Sequence, residues 1–390
     1  MKRNMFRKGI VLGILLLFVG ASAIPSTGTI VERTTILDTK SDGYIQDLID
    51  NASDSDTIYI SSGIYYENIL IDKSINLIGE DKNTTIIDGG YKWTVITIII
   101  DQVNISGFTI RNSGLVWYDA GIKIKSNNTN VYGNNIIYNN YGIKLEFSDN
   151  NNISNNKIFS NNWNGIYLHF SSDNIIKENE ISSNWNNGLV IFDYSNSNII
   201  ASNNITFNHH GISIQISKFN KIMDNLVQLN SGTGINVEGA NQNNISGNII
   251  DLNKNSGIIM GYFKTYWGHT YSHENSVKRN IIQKNNDGIH ISGGGKNIIR
   301  YNEIKDNING LLLYSDNNII SNNNFKKNNR DAQFGNNMKE KNIWNQNYWN
   351  KEHILPVIIF GKVVISRYLT IPWINFDWYP KKEPYNIYEE

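Results

Sequence analysis

The hydrophobic and polar positions of this chain repeat at a nearly constant interval. Each unit opens with a glycine followed by Ile or Leu, after which apolar and polar residues alternate. Successive spacings of 21, 23, 23, 23, 23, 23, 31 and 22 residues separate Gly121, Gly142, Gly165, Gly188, Gly211, Gly234, Gly257, Gly288 and Gly310. A second register also steps by 23 residues, through Ile153, Ile176, Ile199, Ile222 and Ile245. Self-similarity at this period predicts a solenoid.

The composition of the unit favours one kind of solenoid. Each unit holds three short apolar patches rich in Ile, separated by corners rich in Asn, and both residue types are poor helix formers. In residues 165–170, strand alternation turns Ile166 and Leu168 inward, and Tyr167 and His169 outward. The pattern therefore predicts an all-β fold, a right-handed parallel β-helix solenoid of about 23 residues per coil with three short strands each. Eleven or twelve such coils would form a rod roughly 55 Å long.

The pattern also divides the chain into segments. We expect a signal peptide over 1–23, a linker and N-terminal cap helix over 24–52, the parallel β-helix over 53–330, and a C-terminal cap or tail over 331–390. The helix is predicted from the helical spacing of Ile45, Leu48 and Ile49. Caps are needed because an open end of a β-helix exposes sheet edges. The C-terminal cap is predicted to be aromatic, with Trp344, Trp349, Trp373 and Trp378.

The first residues have the pattern of an export signal. A basic start is followed by an apolar run from Ile10 to Val19 and by the small residues Ala21-Ser22-Ala23. We expect cleavage after Ala23, with an uncleaved anchor as the alternative, and no span in the mature chain. The predicted location is extracellular or at the cell surface. The chain has no cysteine, so its core must supply the stability that disulfides give many exported proteins.

Charge narrows the range of partners. Lys and Arg number 35 and Asp and Glu also number 35, so the formal net charge is +0. This balance gives no electrostatic reason to expect nucleic acid or an anionic membrane surface as a partner. We expect no nucleic-acid partner and a monomeric protein.

Two stretches resemble a known group of β-helix proteins. The opening "DTIYISSGIYYENILI" and coils such as "NNISNNKI…NGIYL" are similar to the pectate-lyase-like superfamily, and most of all to its NosD-like group. The likeness covers about residues 50 to 330, and the tail "NYWN…PVIIFG…PWINFDWYP" is similar to that of archaeal members. The resemblance implies the β-helix fold, export, and a carbohydrate-binding and sugar-hydrolysis type of repeat. NosD proteins are also linked to copper supply for nitrous oxide reductase.

The residues themselves favour neither copper nor a recognisable enzyme. With no Cys, five Met and no His-x-His run, we expect no metal and no cofactor. The stretch "HHGISIQIS" at 209–217 resembles a segment of polygalacturonases, but the acidic residues of that family are missing. His169 stands where alginate epimerases keep a histidine, with Tyr167 and Phe170 in place of their aspartates. The sequence thus leaves catalysis open and gives His169 no expected role.

One spacing departs from the repeat and marks a candidate site. The coil after Gly257 gains about eight residues, which form the loop 261–276. Loops inserted on one face of a solenoid often line its binding surface, and aromatic rings suit sugars. The candidate ligand-binding residues are Tyr262, Tyr266, Trp267, His269, Tyr271 and His273. The alternative is a loop whose aromatic rings pack on the coil beneath it.

Outward columns on neighbouring coils supply candidate catalytic residues. Counting from each glycine predicts that Glu238 and His290 flank the inserted loop on one face. Glu238 and Glu274 are candidates for a pair of carboxylates in sugar hydrolysis, with His290 as a possible acid or base. The alternative is that all three are ordinary exposed polar residues. The same columns predict a small basic patch at Lys123, Lys125 and Lys144.

Three functions fit these observations. The favoured one is an exported cell-surface protein that binds a polysaccharide or cell-surface glycan along an outward β-face and the 261–276 loop. The alternatives are a divergent polysaccharide lyase, hydrolase or epimerase, and a NosD-like accessory protein with a protein partner. Some Asn-x-Ser/Thr sequons are candidates for glycosylation, but Asn152, Asn204 and Asn244 fall in predicted ladder positions and would then be buried.

Overall fold

In the computed structural model, the chain winds into a right-handed parallel β-helix with three faces. The structure describes residues 30–31, 43–266, 268–336, 341–366 and 369–387. The predicted signal peptide lies outside these residues. The described coils number about thirteen, one or two more than the spacing predicted, because strands continue beyond the last clear repeat to Trp349. At one strand spacing per coil the rod is roughly 60 Å long.

Each face of the rod is one sheet, and every complete coil contributes one strand to each. Sheet 1 has fourteen strands in the described part of the chain: Ile30–Val31, Thr57–Ile60, Asn76–Gly79, Asn104–Ser106, Asn130–Tyr132, Asn152–Ser154, Ile175–Lys177, Ile199–Ala201, Lys221–Met223, Asn244–Ser246, Ser276–Lys278, Ile298–Arg300, Ile319–Ser321 and Ile343–Asn345. Sheet 2 has thirteen in the same residues: Gly63–Tyr66, Thr85–Asp88, Thr109–Arg111, Asn135–Ile137, Lys157–Phe159, Glu180–Ser182, Asn204–Thr206, Leu226–Gln228, Ile249–Asp251, Ile281–Gln283, Glu303–Lys305, Asn324–Lys326 and Tyr348–Trp349.

Sheet 3 has the longest strands and carries the two departures from the regular coil. Its described strands are Ile69–Ile71, Ile96–Ile98, Ala120–Ile124, Tyr141–Glu146, Ile166–His169, Asn187–Phe192, His210–Gln215, Ile235–Glu238, Ser256–Thr265, Gly268–Tyr271, Asp287–Ile291, Asn309–Leu313, Arg330–Asn336, Val357–Ser366 and Leu369–Asp377. Neighbours are parallel except in two antiparallel hairpins. One joins Ser256–Thr265 to Gly268–Tyr271, and the other joins Val357–Ser366 to Leu369–Asp377.

The core consists of stacked aliphatic side chains, one or two from each strand. In one coil Ile153, Ile158, Ile166 and Leu168 are all fully buried. Their counterparts on the next coil lie directly above them, since Ile153 pairs with Ile176 and Leu168 with Ile191. The predicted inward positions are therefore confirmed.

Three buried ladders of asparagine hold the corners together. In each ladder the Oδ1 atom of one Asn accepts hydrogen bonds from the backbone N–H and Nδ2 of the Asn one coil earlier, as Asn203 does from Asn179 at 3.0 Å for both. One ladder runs between sheets 1 and 2, through Asn134, Asn156, Asn179, Asn203, Asn225, Asn248, Asn280, Asn302, Asn323 and Asn347. The ladders satisfy backbone groups that would otherwise be buried without partners.

The exact positions of the ladder residues differ from the predicted ones. The side chains of Asn151, Asn203 and Asn243 are buried in the ladders, whereas Asn152, Asn204 and Asn244 follow them and begin strands. The prediction for these sequons was wrong by one residue, and Asn204 is exposed. Many corners are turned by a residue in the left-handed conformation, as Asn155 (φ 56°) is before Asn156. The ladder residue comes directly after this turn, one position earlier than predicted.

The glycines of the repeat are required by close stacking. A Cβ atom on Gly165 would lie 2.6 Å from the carbonyl oxygen of Gly188 and 2.7 Å from Cγ2 of Ile181. Contacts this short would force the coils apart, so a side chain is excluded at this glycine position near the start of the repeat's sheet 3 strands.

Both ends of the rod are capped. Helix α1, Tyr44–Asp50, covers the N-terminal end with Ile45 and Ile49 fully buried. The carboxylate of Glu67 accepts the N–H groups of Ile45 (2.9 and 3.0 Å) and Gln46 (3.0 Å) at the start of the helix, and burial raises the pKa of Glu67. At the other end Trp349 stacks on Phe325 with ring centroids 4.5 Å apart.

The C-terminal hairpin closes over this aromatic end. Asp377, fully buried, accepts hydrogen bonds from the N–H groups of Gln346 and Asn347 and from the indole Nε1 of Trp349. Trp344 and Trp349 are buried, but Trp373 and Trp378 are 45% and 60% exposed. Only part of the predicted aromatic cap therefore faces the core.

Candidate functional site

The outward side of sheet 3 gathers most of the residues capable of chemistry. Two columns follow the rod on this surface, which we call the sheet 3 face. The inner column contains Lys123, Lys144, Tyr167, Val190, Ser213 and Asn236. The outer column contains Glu146, His169, Phe192, Gln215 and Glu238. The predicted register of both columns is confirmed by the strand pairing.

An ion cluster, buried except for Lys125, occupies the N-terminal part of the face. The Nζ atom of Lys144 lies 2.7 Å from Oε1 of Glu146, and those of Lys123 and Lys125 lie 3.5 and 3.9 Å from Oε2. Burial alone would raise the pKa of Glu146, but the Lys144 hydrogen bond and the three lysine charges outweigh it and lower that pKa. Burial also lowers the pKa of Lys123. The predicted basic patch is thus partly compensated by Glu146, and Lys144 is only 2% exposed.

Aromatic rings enclose this cluster. The Nζ atom of Lys144 lies 5.0 Å from the ring centroid of Trp117, 5.4 Å from that of Tyr141 and 5.8 Å from that of Tyr167. Such distances allow cation–π attraction. Burial raises the pKa of Tyr141 to about 12 and also raises that of Tyr167. Both phenols therefore stay neutral and can donate hydrogen bonds to a ligand.

His169 lies next to the cluster among charged and aromatic groups. Its Nε2 atom is 3.6 Å from Oδ2 of Asp193, and its ring centroid is 6.1 Å from that of Tyr167 and 5.7 Å from that of Phe192. The sequence analysis gave His169 no role because its likeness to an epimerase motif was a single residue. Its position next to Glu146 in the outer column could have indicated from the sequence that His169 lies beside the ion cluster.

A row of aromatic rings follows the edge where the sheet 3 strands end. Phe147 stacks on Phe170 with centroids 5.1 Å apart, and Phe170 stacks on Tyr194 at 6.1 Å. Phe147 is 70% exposed and Tyr194 60%. The sequence analysis missed this row, although an aromatic residue just after the strand in successive coils was visible in the sequence.

The inserted loop is a β-hairpin whose two faces differ. On one face Tyr262 stacks on His269 at 4.3 Å and lies 6.0 Å from Tyr271. Tyr262, Tyr266 and Tyr271 are 44%, 92% and 42% exposed. On the other face Phe263 packs against Phe192, with centroids 5.9 Å apart. One face thus packs on the rod while the other leaves its rings open to solvent; Trp267 lies outside the described residues.

The remaining candidates lie at two places: His273 and Glu274 line one cavity at a corner, whereas Glu238 and His290 lie on sheet 3. His273 accepts a hydrogen bond at Nδ1 from Gly295 N–H at 3.0 Å. Glu274 lies at a corner, 3.0 Å from Nε2 of Gln242 and 3.6 Å from Nζ of Lys296.

Glu238 and His290 lie on sheet 3 on opposite sides of the coil that carries the hairpin. Glu238 accepts from Nε2 of Gln215 at 2.9 Å. The Nδ1 atom of His290 lies 3.7 Å from Oδ2 of Asp287, and burial lowers the pKa of His290. Among the described residues, no hydrogen bond or ion pair joins Glu238, Glu274 and His290 to one another.

Comparison with known proteins places the chain in a family. The family model described as "Periplasmic copper-binding protein (NosD)" matches residues 49–271 and 217–361, well over half of the chain. The chain belongs to the NosD family. A search among curated proteins found no match.

Solved structures share the fold with this NosD family member. The A-module of the Azotobacter vinelandii mannuronan C-5 epimerase AlgE6 is 15% identical, with a TM-score of 0.54, covering 78% of this chain and 93% of that one. A double mutant of the periplasmic alginate epimerase AlgG is 14% identical, with a TM-score of 0.52, covering 79% and 82%. At these identities the likeness shows the β-helix fold alone.

The described residues do not fit the copper of the family's name. Copper is bound by thiolate, thioether and imidazole groups, and the chain has no Cys. Met260 is fully buried in the core. Within the described part of the chain, no group of three or more His, Asp and Glu side chains could hold a metal ion. The same residues contain no helix that is long and apolar enough to cross a membrane.

Proposed function

We propose that this protein is exported and binds a polysaccharide along the sheet 3 face and the inserted hairpin. The observation that carries the proposal is the presence of open aromatic rings at two places on one side of the rod. Phe147 and Tyr194 lie at one place, and Tyr262 and Tyr271 at the other. Five coil steps, roughly 25 Å, separate the strand that ends at Glu146 from the strand that carries Tyr262.

The groups between these places suit sugar hydroxyls. Aromatic rings bury the C–H faces of a sugar, while neighbouring polar groups bond its hydroxyls. Tyr167 offers a neutral phenol, and the Gln215–Glu238 pair offers an amide and a carboxylate. Two proteins with this fold are named for their action on alginate or mannuronan, so the scaffold can accommodate a polysaccharide.

The test is binding to a panel of neutral and uronic polysaccharides, using a chain that begins at Ile24 and keeps every described residue. We expect Tyr262→Ala with Tyr271→Ala to weaken binding about tenfold or more, since each ring contributes roughly 1 kcal/mol or more. The matched control is Tyr132→Ala, which removes a ring 41% exposed on sheet 1. Equal loss in the control, or no binding to any glycan, would contradict the proposal and favour a protein partner.

A polysaccharide lyase, hydrolase or epimerase is the second candidate. The favouring observation is the half-buried pair of His169 and Asp193 beside the neutral phenol of Tyr167, since catalytic acids and bases are often held in this way. Product formation is followed in the same wells by unsaturated or new reducing ends. If the unaltered chain forms products and His169→Asn does not, the protein is an enzyme whose chemistry takes place at His169. If products are lost only in Glu238→Gln, Glu274→Gln or His290→Ala, the chemistry takes place near the hairpin.

A further inference from the structure

The C-terminal hairpin turns an apolar surface away from the rod. Residues opposite each other in its register share a face, so Ile358, Phe360, Lys362 and Val364 line one side together with Thr370, Pro372, Ile374 and Phe376. We call this surface the cap face. Phe360 is 68% exposed, Ile358 47%, Ile374 43% and Val364 39%. The opposite side of the same hairpin carries Ile359 and Val363, which are buried against the end of the core.

Adjacent residues enlarge this surface. Trp378 stacks on Phe376 with centroids 4.8 Å apart and is 60% exposed. The segment just before the first strand adds Ile354 and Leu355, which are 85% and 76% exposed. Single exposed apolar residues are ordinary, but a contiguous apolar surface of this kind marks a place of interaction.

The hairpin is poorly suited to pairing with another strand or another copy. Pro372 lies in the edge strand Leu369–Asp377, and proline blunts an edge because it has no N–H to donate. Lys362 lies in the middle of the cap face, and none of the other seven residues of that face carries a carboxylate.

The charges around the cap face are mostly positive. Five exposed lysines of the described residues 341–387 compare with two exposed glutamates, Glu352 and Glu383; the lysines are Lys341, Lys351, Lys362, Lys381 and Lys382. The Nζ atom of Lys382 lies 3.6 Å from Oε1 of Glu352, which leaves four lysines and Glu383 outside that pair. Lys351 lines the same cavity as Ile358 and Phe360, and Lys341 the same cavity as Trp373 and Trp378. The net charge of +0 for the whole chain therefore conceals a local excess of positive charge.

We infer that the cap face docks on an anionic membrane surface. Phe360, Ile374 and Trp378 enter the interfacial region, where indole and phenyl rings bury apolar area, and the surrounding lysines contact the headgroups. Both contributions are needed, because apolar burial and attraction to anionic lipid together set the strength of such binding. The polysaccharide proposal concerns coils of the same sheet nearer its N-terminal end, so the variants below test the two proposals separately.

The experiment is co-sedimentation of the chain beginning at Ile24 with vesicles. One set contains phosphatidylglycerol and phosphatidylcholine in equal parts, and the other contains phosphatidylcholine alone. We expect binding to the first set, weakened about tenfold or more by Phe360→Ser with Ile374→Ser. The control is Phe147→Ser with Tyr194→Ser, which removes two equally open rings from the sheet 3 edge.

A second pair of variants tests the charge. Lys341→Glu with Lys351→Glu leaves the apolar residues in place and is expected to weaken binding to the anionic vesicles by a similar factor. Unchanged circular dichroism and melting temperature show that each variant is folded. The inference is overturned if the unaltered chain binds neither set, if the Phe360 and control variants bind alike, or if Phe360→Ser with Ile374→Ser abolishes only self-association.

Discussion

At the scale of single residues, the polar groups of this protein work through burial and pairing. Lys144 is almost completely buried, with Glu146 2.7 Å away and aromatic rings around it. His210 is partly buried and has no acidic partner among its described contacts. Thr233 N–H donates to its Nδ1 atom at 2.9 Å.

His210 should make stability depend on pH. Burial, aided by the neighbouring His209, lowers the pKa of His210 to about 4, whereas the unfolded chain has a pKa near 6.5. Below pH 6.5 the unfolded state takes up the proton first, so stability falls as the pH drops towards 4, by up to roughly 3 kcal/mol. His210→Asn keeps an acceptor for Thr233 and should lack this part of the loss.

The measurement is the free energy of unfolding between pH 7 and pH 4. The matched control is His209→Asn, which changes the exposed neighbour and should leave most of the pH dependence in place, because burial is the larger cause of the shift. Parallel curves for the unaltered chain and His210→Asn would contradict the assignment.

At the scale of the element, the coil is stabilised by its neighbours rather than by itself. Each strand of three or so residues is too short to persist alone, and each ladder Asn bonds groups of the coils before and after it. Asn203 illustrates this dependence, because it is 1% exposed and connects Asn179 to Asn225.

Replacing a ladder residue should therefore destabilise the rod strongly. Asn203→Ala leaves the N–H of Asn179 without its acceptor and the carbonyl of Ile176 without its donor. We expect a loss of roughly 3 kcal/mol, measured by chemical denaturation, because buried unsatisfied groups are costly. The adjacent Asn204 is exposed, so Asn204→Ala should change stability by about 0.5 kcal/mol or less. Similar losses of stability in both variants would contradict the idea that the ladder bonds stabilise the rod.

At the scale of the whole molecule, the rod is a stack of interchangeable coils between two specific ends. The inward positions of adjacent coils are nearly equivalent, so the neighbours of a coil can pack on each other if it is removed. Residues 298–318 form one complete coil, from the residue after Asn297 to Asn318, and both of these are ladder residues.

Deleting this coil should give a shorter rod that still folds. Val277 would then stack on Ile320 and Ile282 on Phe325, all of them core residues. We expect a melting temperature within roughly 5 °C of the original. We also expect unchanged polysaccharide binding, because the proposed binding residues lie in other coils. Deleting 298–308 instead removes about half a coil and should yield insoluble protein, because every later strand loses its register. Comparable solubility of the two variants would argue against this modular organisation.

Much of the fold followed from the sequence alone, because its information is local and repeated. The 23-residue spacing, the inward Ile166 and Leu168, and the helix around Ile45 and Ile49 all come from short-range patterns that recur or have a simple period. Because the unit recurs many times, each copy supports the same prediction. One-residue details, such as which Asn enters the ladder, were not fixed in this way, because neighbouring asparagines look alike in the sequence.

The candidate site depended on tertiary structure. Glu146, His169 and Asp193 are about one coil apart in sequence, and only stacking brings their side chains together. Likewise, the sequence located the inserted loop but not its hairpin, whose Phe263 packs back on Phe192 from three coils earlier. The sequence by itself determined the repeat and therefore the rod. Only the tertiary structure decided which outward residues meet, because those contacts join side chains about one or several coils apart, which no local pattern specifies.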